Sequence, residues 1–532
     1  MMGSGTADVV CDGWCLHQLR KLTLNLPAHC VGSVHTSEDA TNLELQRSDD
    51  LLHAAIYAGL ASFLVALISY NFVDIDLWHQ MALIRESLSA GYLLKADPYA
   101  YTPTIRPWID HEWGAGAIAY FATLWFGGRA LLILKFLLAL GTGFLCVRCS
   151  RAKGTDFRLL GLCAPLAILL AYLGIFTAIR AQAYSFFFTA LLLLFLELDR
   201  KGSRAWILVW LVIFPLWVNL HGGFVVAIGL MGLFLVEELL RGNAVRRLLL
   251  VLVATCLEVF INPYGAAYFA YLRRAVTMAR PYAPEWRPIW DLGPAWTIAF
   301  SVAVVVALYA AVSVGFRRGV GILPLLATAV EAALHRKLLP FFAIAWLCCV
   351  PFFLQQTDAG KWFVRFTQRR TLFMRMAWSV FACVCLIAAV RQKPWSLSVP
   401  QRIYPVGSVE YLARQKFKGN VMTPFRLGAY VSWKLFPAVK VSLDSRYEET
   451  YPNRIMQSIF RFYEAAPDWP STLDAFPTDV VLIPRDAPIS RAMPQSGWNK
   501  VYLDQQFELY ARPGRALPLE DRSSASFTGV LP

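Results

Sequence analysis

Between Leu51 and Arg391, apolar positions fall into long unbroken blocks rather than alternating with polar ones. Charged residues collect in the short gaps between blocks. A block of about 20 apolar residues is long enough to cross a bilayer as a helix. The pattern predicts spans at Leu51–Phe72, Ala130–Val147, Leu159–Thr177, Ala183–Leu198, Ala205–Val218 and Phe224–Leu240. Further spans are predicted at Leu248–Ile261, Ala295–Val314, Ile322–Ala333, Leu338–Leu354 and Ala377–Val390, about eleven in all. Gly114–Phe126 is apolar but short, which suits a helix lying at the interface.

The ends of the chain read differently. Residues 1–50 are polar and mixed, with no apolar run of signal-peptide length, and are expected to be a disordered cytoplasmic tail. Beyond Arg391 the blocks stop. Val409–Lys418 has helical spacing, and so does Asn453–Tyr463. Asn420–Thr423, Gly428–Trp433, Val439–Leu443 and Asp479–Ile483 are short runs with strand character. The expected organisation is a transmembrane domain over 51–391 with a large first outer loop at 73–128. An α/β domain over 392–515 and a disordered tail at 516–532 follow it.

Composition agrees with a membrane protein: of 532 residues, 57% are hydrophobic and 16% charged. The net charge of +14 would fit a nucleic-acid partner, but the Lys and Arg sit in short loops between spans. Arg148/Arg151/Lys153/Arg158, Arg200/Lys201/Arg204, Arg241/Arg246/Arg247, Arg317/Arg318 and Lys361/Arg365/Arg369/Arg370/Arg375 occupy alternate loops. The positive-inside rule then puts the N-terminus in the cytoplasm, and the 73–128 loop and the C-terminal domain outside. No nucleic-acid partner is implied. The eleven cysteines avoid the two outer regions, as free thiols facing an oxidising compartment should. Cys146-x-x-Cys149 has metal or redox spacing but no second pair in sequence, so it reads as helix-end filler.

Unusual polar residues gather in the outer loops. The first loop opens with Asp74-Ile-Asp76-Leu-Trp-His79 and carries Trp108-Ile-Asp110-His111-Glu112-Trp113. Later outer turns hold Arg180, Asn219-Leu-His221-Gly-Gly223, Glu285 with Arg287, and His335-Arg336-Lys337. Charged groups near hydrocarbon are costly, so their concentration at one membrane face implies a polar site there.

The order of these features resembles the GT-C superfamily of polyprenyl-phosphate-sugar-dependent glycosyltransferases, which includes protein O-mannosyltransferases and aminoarabinose transferases. The stretches that carry the resemblance are Asp74–His79, Ala96-Asp-Pro-Tyr-Ala-Tyr-Thr102, Trp108–Trp113, Asn219–Gly223 and Asn262-Pro-Tyr-Gly265, within roughly residues 50–515. The chain is similar to a bacterial branch in which a multi-span part precedes an extracytoplasmic domain. It departs from the O-mannosyltransferases in having Asp-x-Asp where they have an Asp-Glu doublet.

The resemblance implies a GT-C-like polytopic α-helical protein of a bacterial plasma membrane, with a C-terminal extracytoplasmic α/β domain. Its activity would be inverting transfer of a sugar from a polyprenyl-phosphate donor to a protein, lipid or polysaccharide acceptor. One carboxylate must take the acceptor's proton, and Asp74 and Asp76 are the candidates. Asp76 favours itself by nearness to His79 in a helix, Asp74 by nearness to the bilayer.

His79, Asp110, His111, Glu112, Arg180, His221, Glu285, Arg287, His335 and Arg336 are candidate substrate-binding residues. Arginine suits the bidentate contacts that phosphate needs. Asp76 and Glu112 together could hold Mg or Mn, whose preferred ligands are oxygens. Competing readings stand beside these: a polar helix cap for either Asp, snorkelling to headgroups for the arginines, and a plain reconnecting turn at Asn219–Gly223. Asp444-Ser-Arg446 reads as an internal ion pair, and Trp78, Trp108, Trp113 and Trp286 as sugar-stacking or belt aromatics. A transporter or flippase would show internal repeats and midplane charges, neither of which is evident. A non-catalytic envelope polysaccharide assembly protein would need no Asp base.

Overall fold

The computed structural model describes residues 37–175, 180–278, 280, 283–393, 395–529 and 531. Residues 1–51 and 52–532 form separate compact units. In the first unit the described part, from Ser37, is already helical, so the expected disorder of 1–50 does not extend to residue 50. The rest of that tail, residues 1–36, lies outside the described residues, as does Thr177, the end of the third expected span.

Each of the eleven apolar blocks is a helix. Seven are long and apolar enough to cross a membrane: Gln46–Ile68, Gly128–Ala152, Phe157–Gly174, Gln182–Arg200, Pro294–Val314, Arg336–Gln356 and Thr371–Arg391. Trp206–Leu220 and Ile322–Leu334 are shorter apolar helices. The helix Leu339–Gln356 is the most enclosed, with nearly every side chain from Leu339 to Phe353 buried. An amphipathic helix faces water on one side; this one is apolar all round because neighbouring helices surround it. The helix Thr371–Arg391 buries only Ala382, Cys385 and Ala389, leaving Leu372, Phe373, Val380, Val384 and Val390 exposed, as expected of a lipid-facing surface.

The 73–128 loop is built on two helices, Ile75–Ala90 and Trp113–Phe126. They pack closely because Gly116 has no side chain: a Cβ there would lie 2.6 Å from the Gln80 carbonyl oxygen. Such close backbone approach is what glycine permits.

The C-terminal part forms a six-stranded mixed sheet in the order β3-β2-β4-β6-β5-β7. The strands are β2 Gly419–Met422, β3 Val439–Val441, β4 Val480–Pro484, β5 Asn499–Leu503, β6 Phe507–Ala511 and β7 Glu520–Asp521. β2 runs parallel to β3 and β4, whereas β6 is antiparallel to β4 and β5. The 73–128 loop covers the β3 edge: Tyr101 N–H donates to Val441 O at 3.0 Å, and Val441 N–H to Tyr99 O at 3.0 Å. Covering an edge strand removes a row of unpaired backbone groups.

Two expectations fail here. Gly428–Trp433 is part of a helix, Gly428–Leu435, rather than a strand. Its Tyr430 and Trp433, one turn apart, both pack on fully buried Trp78 from the outer loop. That long-range contact needs helical spacing and overrides the local β-propensity. Residues 516–532 are not a disordered tail throughout: Glu520–Asp521 pairs with β5, and β8 (Thr528–Gly529) pairs with β1 (Val399–Pro400).

Candidate active site

The site begins where the first membrane helix ends and helix Ile75–Ala90 begins. Asp74 is the N-cap: its backbone is extended and its Oδ1 accepts from Asp76 N–H at 3.1 Å. Capping leaves Oδ2 free, and Arg180 Nε lies 3.3 Å from it. Asp76, one residue inside the helix, is 3.6 Å from Arg180 Nη2 and 3.8 Å from His79 Nε2. The polar-cap reading therefore holds for Asp74, whereas Asp76 has no capping task and stays partly open.

Arg180 also reaches Glu285, with Nη2 3.2 Å from Oε2. Glu285 in turn binds Lys337 Nζ at 2.6 Å. Three carboxylates and two cations from four separate loops thus form one chain of charge. Asp74, Asp76, Leu77, Gln80, Glu112, Arg180, Ala181, Gln182 and Lys337 line a small polar cavity beside it.

Burial pushes the Asp74 carboxyl up to about 6, although the Arg180 charge pulls the other way. Glu285 is moved oppositely, down to about 2: burial would raise it, but Lys337 and Arg180 outweigh that. His79 is raised to about 9, its burial overcome by the hydrogen bond and charge of Asp76.

A second cluster adjoins the cavity. Glu112 accepts from Gln80 Nε2 and lies 3.3 Å from His111 Nε2 and 3.4 Å from His221 Nε2. Burial alone would raise Glu112, but the His111 charge holds it well below the usual carboxylate range. His221 Nδ1 accepts from Gly223 N–H at 2.9 Å and lies 2.7 Å from the Ser185 hydroxyl. With Nδ1 an acceptor, the neutral ring carries its proton on Nε2, toward Glu112. Burial depresses His221 to about 3, in keeping with a neutral ring. The glycines of the 219–223 turn act through space for side chains: a Cβ on Gly222 would lie 2.9 Å from His111 Cδ2, and one on Gly223 2.4 Å from Ser185 Oγ.

On its other edge His111 meets the C-terminal domain, with Nδ1 paired to Glu449 and 2.9 Å from the Tyr271 hydroxyl. Asp110 is fully buried; its Oδ1 accepts from Glu112 N–H at 2.7 Å, and its own N–H donates to Tyr264 Oη at 3.2 Å. Burial, reinforced by the Glu449 charge, lifts the Asp110 carboxyl to about 7.

Of the residues singled out from sequence, Asp74, Asp76, His79, Asp110, His111, Glu112, Arg180, His221 and Glu285 come together. The others are peripheral. His335 Nδ1 lies 3.0 Å from Trp286 O and its ring stands edge-on to Trp286, which anchors that loop. Arg287 is exposed, and Arg336 joins it through backbone, its N–H donating to Arg287 O at 3.0 Å. Neither side chain pairs with a carboxylate among the described residues; the cation that does is Lys337.

Glu449, Gln80 and Tyr271 carry no local signal in the sequence that distinguishes them, whereas Tyr264 lies in the Asn262–Gly265 stretch. The Asp444–Arg446 pair is real and larger than expected: Arg446 bonds Asp444 and also Asp97, each at 2.6 Å. Trp78 and Trp108 are fully buried, so they are core residues rather than sugar platforms.

Donor atoms that could share a metal ion lie within 4.8 Å of one another in two groups, His111/Glu112/His221 and Asp110/His111/Glu449. Asp76 and Glu112, the pair expected from sequence, both line the cavity but belong to no common group of this kind.

No protein-family model matches the sequence, and no curated protein matches it either. Solved structures do match. The oligosaccharyltransferase AglB of Archaeoglobus fulgidus, in complex with an inhibitory peptide and a dolichol-phosphate, aligns with a TM-score of 0.59 at 13% identity. The alignment covers 88% of this chain and 75% of that one. The same enzyme in its apo form, and tethered to an acceptor peptide containing the NVT sequon, gives TM-scores of 0.56 and 0.55 at 12% identity over the same shares. Likeness at this level of identity is likeness of fold: the chain shares with that enzyme a helical part, here with seven helices long and apolar enough to cross a membrane, and it carries a C-terminal mixed-sheet domain.

Proposed function

We propose that this protein is an integral-membrane glycosyltransferase that moves a sugar, with inversion, from a polyprenyl-phosphate donor to an extracytoplasmic acceptor. The observation that carries the reading is the meeting of Asp74, Asp76, Arg180, Glu285 and Lys337 around one polar cavity at the ends of apolar helices. The AglB complexes with a dolichol-phosphate and with an acceptor peptide support a lipid-phosphate donor and favour a protein acceptor over a lipid or polysaccharide. The alternation of loop charge supports a cytoplasmic N-terminus and an outer active site, and the resemblance to the bacterial branch supports residence in a bacterial plasma membrane.

In this reading Asp76 accepts the proton of the acceptor nucleophile as that atom bonds to the sugar's anomeric carbon. The bond from that carbon to the phosphate oxygen breaks on the opposite face, and the phosphate leaves with the electron pair. Arg180 and Lys337 face the cavity as fixed cations for the developing phosphate charge. Asp74 and Glu285 hold Arg180 in place from either side. Oxygen and imidazole donors around Glu112 and Asp110 fit a divalent cation such as Mg or Mn, which would supply further stabilisation of phosphate charge. The C-terminal domain, in contact with the first outer loop, positions the acceptor.

Membranes bearing Asp76→Asn should lose transfer of a labelled sugar from a polyprenyl-linked donor by about 10²–10⁴-fold, with the protein still folded. Asp74→Asn should lose less, through misplacement of Arg180. Full activity in both variants rejects the carboxylate mechanism.

A further inference from the structure

Between two helices long and apolar enough to cross a membrane, Arg336–Gln356 and Thr371–Arg391, lies a short helix, Asp358–Gln368. Lys337, at the start of the first span, lines the candidate active-site cavity. At a rise of about 1.5 Å per residue, that span puts its far end about 30 Å away along the axis, so Asp358–Gln368 sits at the opposite membrane face. Its departure from the span is fixed by local contacts. Thr357 Oγ1 accepts from Gly360 N–H at 3.0 Å, and Gly360 lies too close to the Leu354 carbonyl oxygen for any side chain.

Residues three and four apart share one face of a helix, and this helix has three distinct ones. Gly360 and Thr367 are buried and mark the inward face. Trp362 and Phe366 are 59% and 38% exposed, with their rings stacked 5.2 Å apart. Lys361, Arg365 and Arg369 form the third face, all exposed. Among the described residues Arg365 and Arg369 have no carboxylate partner, and Lys361 meets Asp358 at 3.8 Å, with both side chains largely exposed. Residues 358–375 carry five cations and one carboxylate. The aromatic edge continues into exposed Leu372 and Phe373 at the start of the second span. A row of uncompensated positive charge thus adjoins an apolar edge that runs on into a lipid-facing helix.

We propose that Asp358–Gln368 lies in the membrane interface and binds anionic phospholipid. Lys361, Arg365 and Arg369 take the lipid phosphates, for which the arginine fork is suited. Trp362 and Phe366 enter the acyl boundary beside them, as the apolar face of an interfacial helix does. Continuity with Leu372 and Phe373 makes the occupant a lipid rather than a soluble acidic partner. The surface is remote from the candidate active site, and the proposal stands whether or not the protein transfers sugar.

The test is lipid retention. Full-length protein in detergent is titrated with phosphatidylglycerol or with phosphatidylcholine of the same acyl chains, and bound lipid is counted by native mass spectrometry. Wild type should retain phosphatidylglycerol in preference to phosphatidylcholine. At about 1 kcal/mol per cation near an anionic surface, the double variant Arg365→Gln/Arg369→Gln should bind phosphatidylglycerol about 30-fold more weakly. Arg317→Gln/Arg318→Gln, which removes the same charge from another loop, should leave that binding intact. Arg365→Lys/Arg369→Lys keeps the charge and should retain most of the affinity, which guards against a folding defect in the glutamine variant. Equal retention of the two lipids by wild type overturns the proposal. So does an equal loss in the Arg317/Arg318 variant, which would show diffuse charge, or a lysine variant as weak as the glutamine one. A wild-type dimer that Trp362→Ala converts to a monomer gives the surface to a second copy of the chain and also rejects the lipid.

Discussion

Replacing Arg446 by Met is the most demanding test of how the two halves of the molecule are joined. The side chains of Arg446, Asp97 and Asp444 are 0%, 0% and 1% exposed. Arg446 Nη1 binds Asp97 at 2.6 Å, Nη2 binds Asp444 Oδ2 at 2.6 Å, and Nε lies 2.9 Å from Asp444 Oδ1. Its guanidinium also stacks over Trp108 at 4.7 Å. Asp97 and Trp108 belong to the outer loop, and Asp444 to the C-terminal domain. Met fills the volume but leaves two buried carboxylates facing each other with no cation. Breaking a buried pair costs about 3–5 kcal/mol, and at ~1 °C per kcal/mol for a chain of 532 residues the melting temperature of the detergent-solubilised protein should fall by roughly 4 °C.

The pH dependence gives the argument a sign. In the wild type, burial would raise Asp444, but the Arg446 charge lowers it below the ordinary range. A depressed carboxylate stabilises above its unfolded pKa of about 3.9 and loses that contribution as pH falls through the folded value. Without Arg446, burial alone remains and the folded pKa rises. The Arg446→Met deficit should therefore shrink between pH ~7.5 and ~5, because protonation relieves the buried charge. A melting-temperature drop under about 2 °C, or a deficit equal at both pH values, refutes the reasoning.

Two further expectations follow from the same contacts. Trp78→Ala removes a fully buried ring that packs on Tyr404, Tyr430 and Trp433; it should cost about 3–5 kcal/mol and expose the C-terminal domain to limited proteolysis, and unaltered protease resistance would contradict that packing role. Arg180→Gln leaves Asp74 and Glu285 without their shared cation; kcat for transfer should fall by about 10²–10³-fold, with part of the loss restored in Arg180→Lys, and an unchanged kcat would remove Arg180 from the proposed site.

The length of the apolar blocks alone determined the membrane class, the eleven helical blocks, of which seven are long and apolar enough to cross a membrane, and the change of character near Arg391. A bilayer demands apolar length segment by segment, so each block can be read without its neighbours. The acidic and histidine clusters of the first outer loop were equally legible, because charge beside hydrocarbon stands out wherever it occurs. Tertiary structure decided the rest. Arg180, Glu285 and Lys337 lie in loops far apart in sequence, and only helix packing shows that they share carboxylates while Arg287 and His335 do not. Glu449 is an ordinary glutamate in sequence and becomes part of the site only when the C-terminal domain docks beside His111. Gly428–Leu435 is helical for a similar reason: its neighbour in space is Trp78, about 350 positions earlier in the chain. Burial against a distant partner leaves no local trace in composition or spacing, and the site's chemistry depends on such contacts.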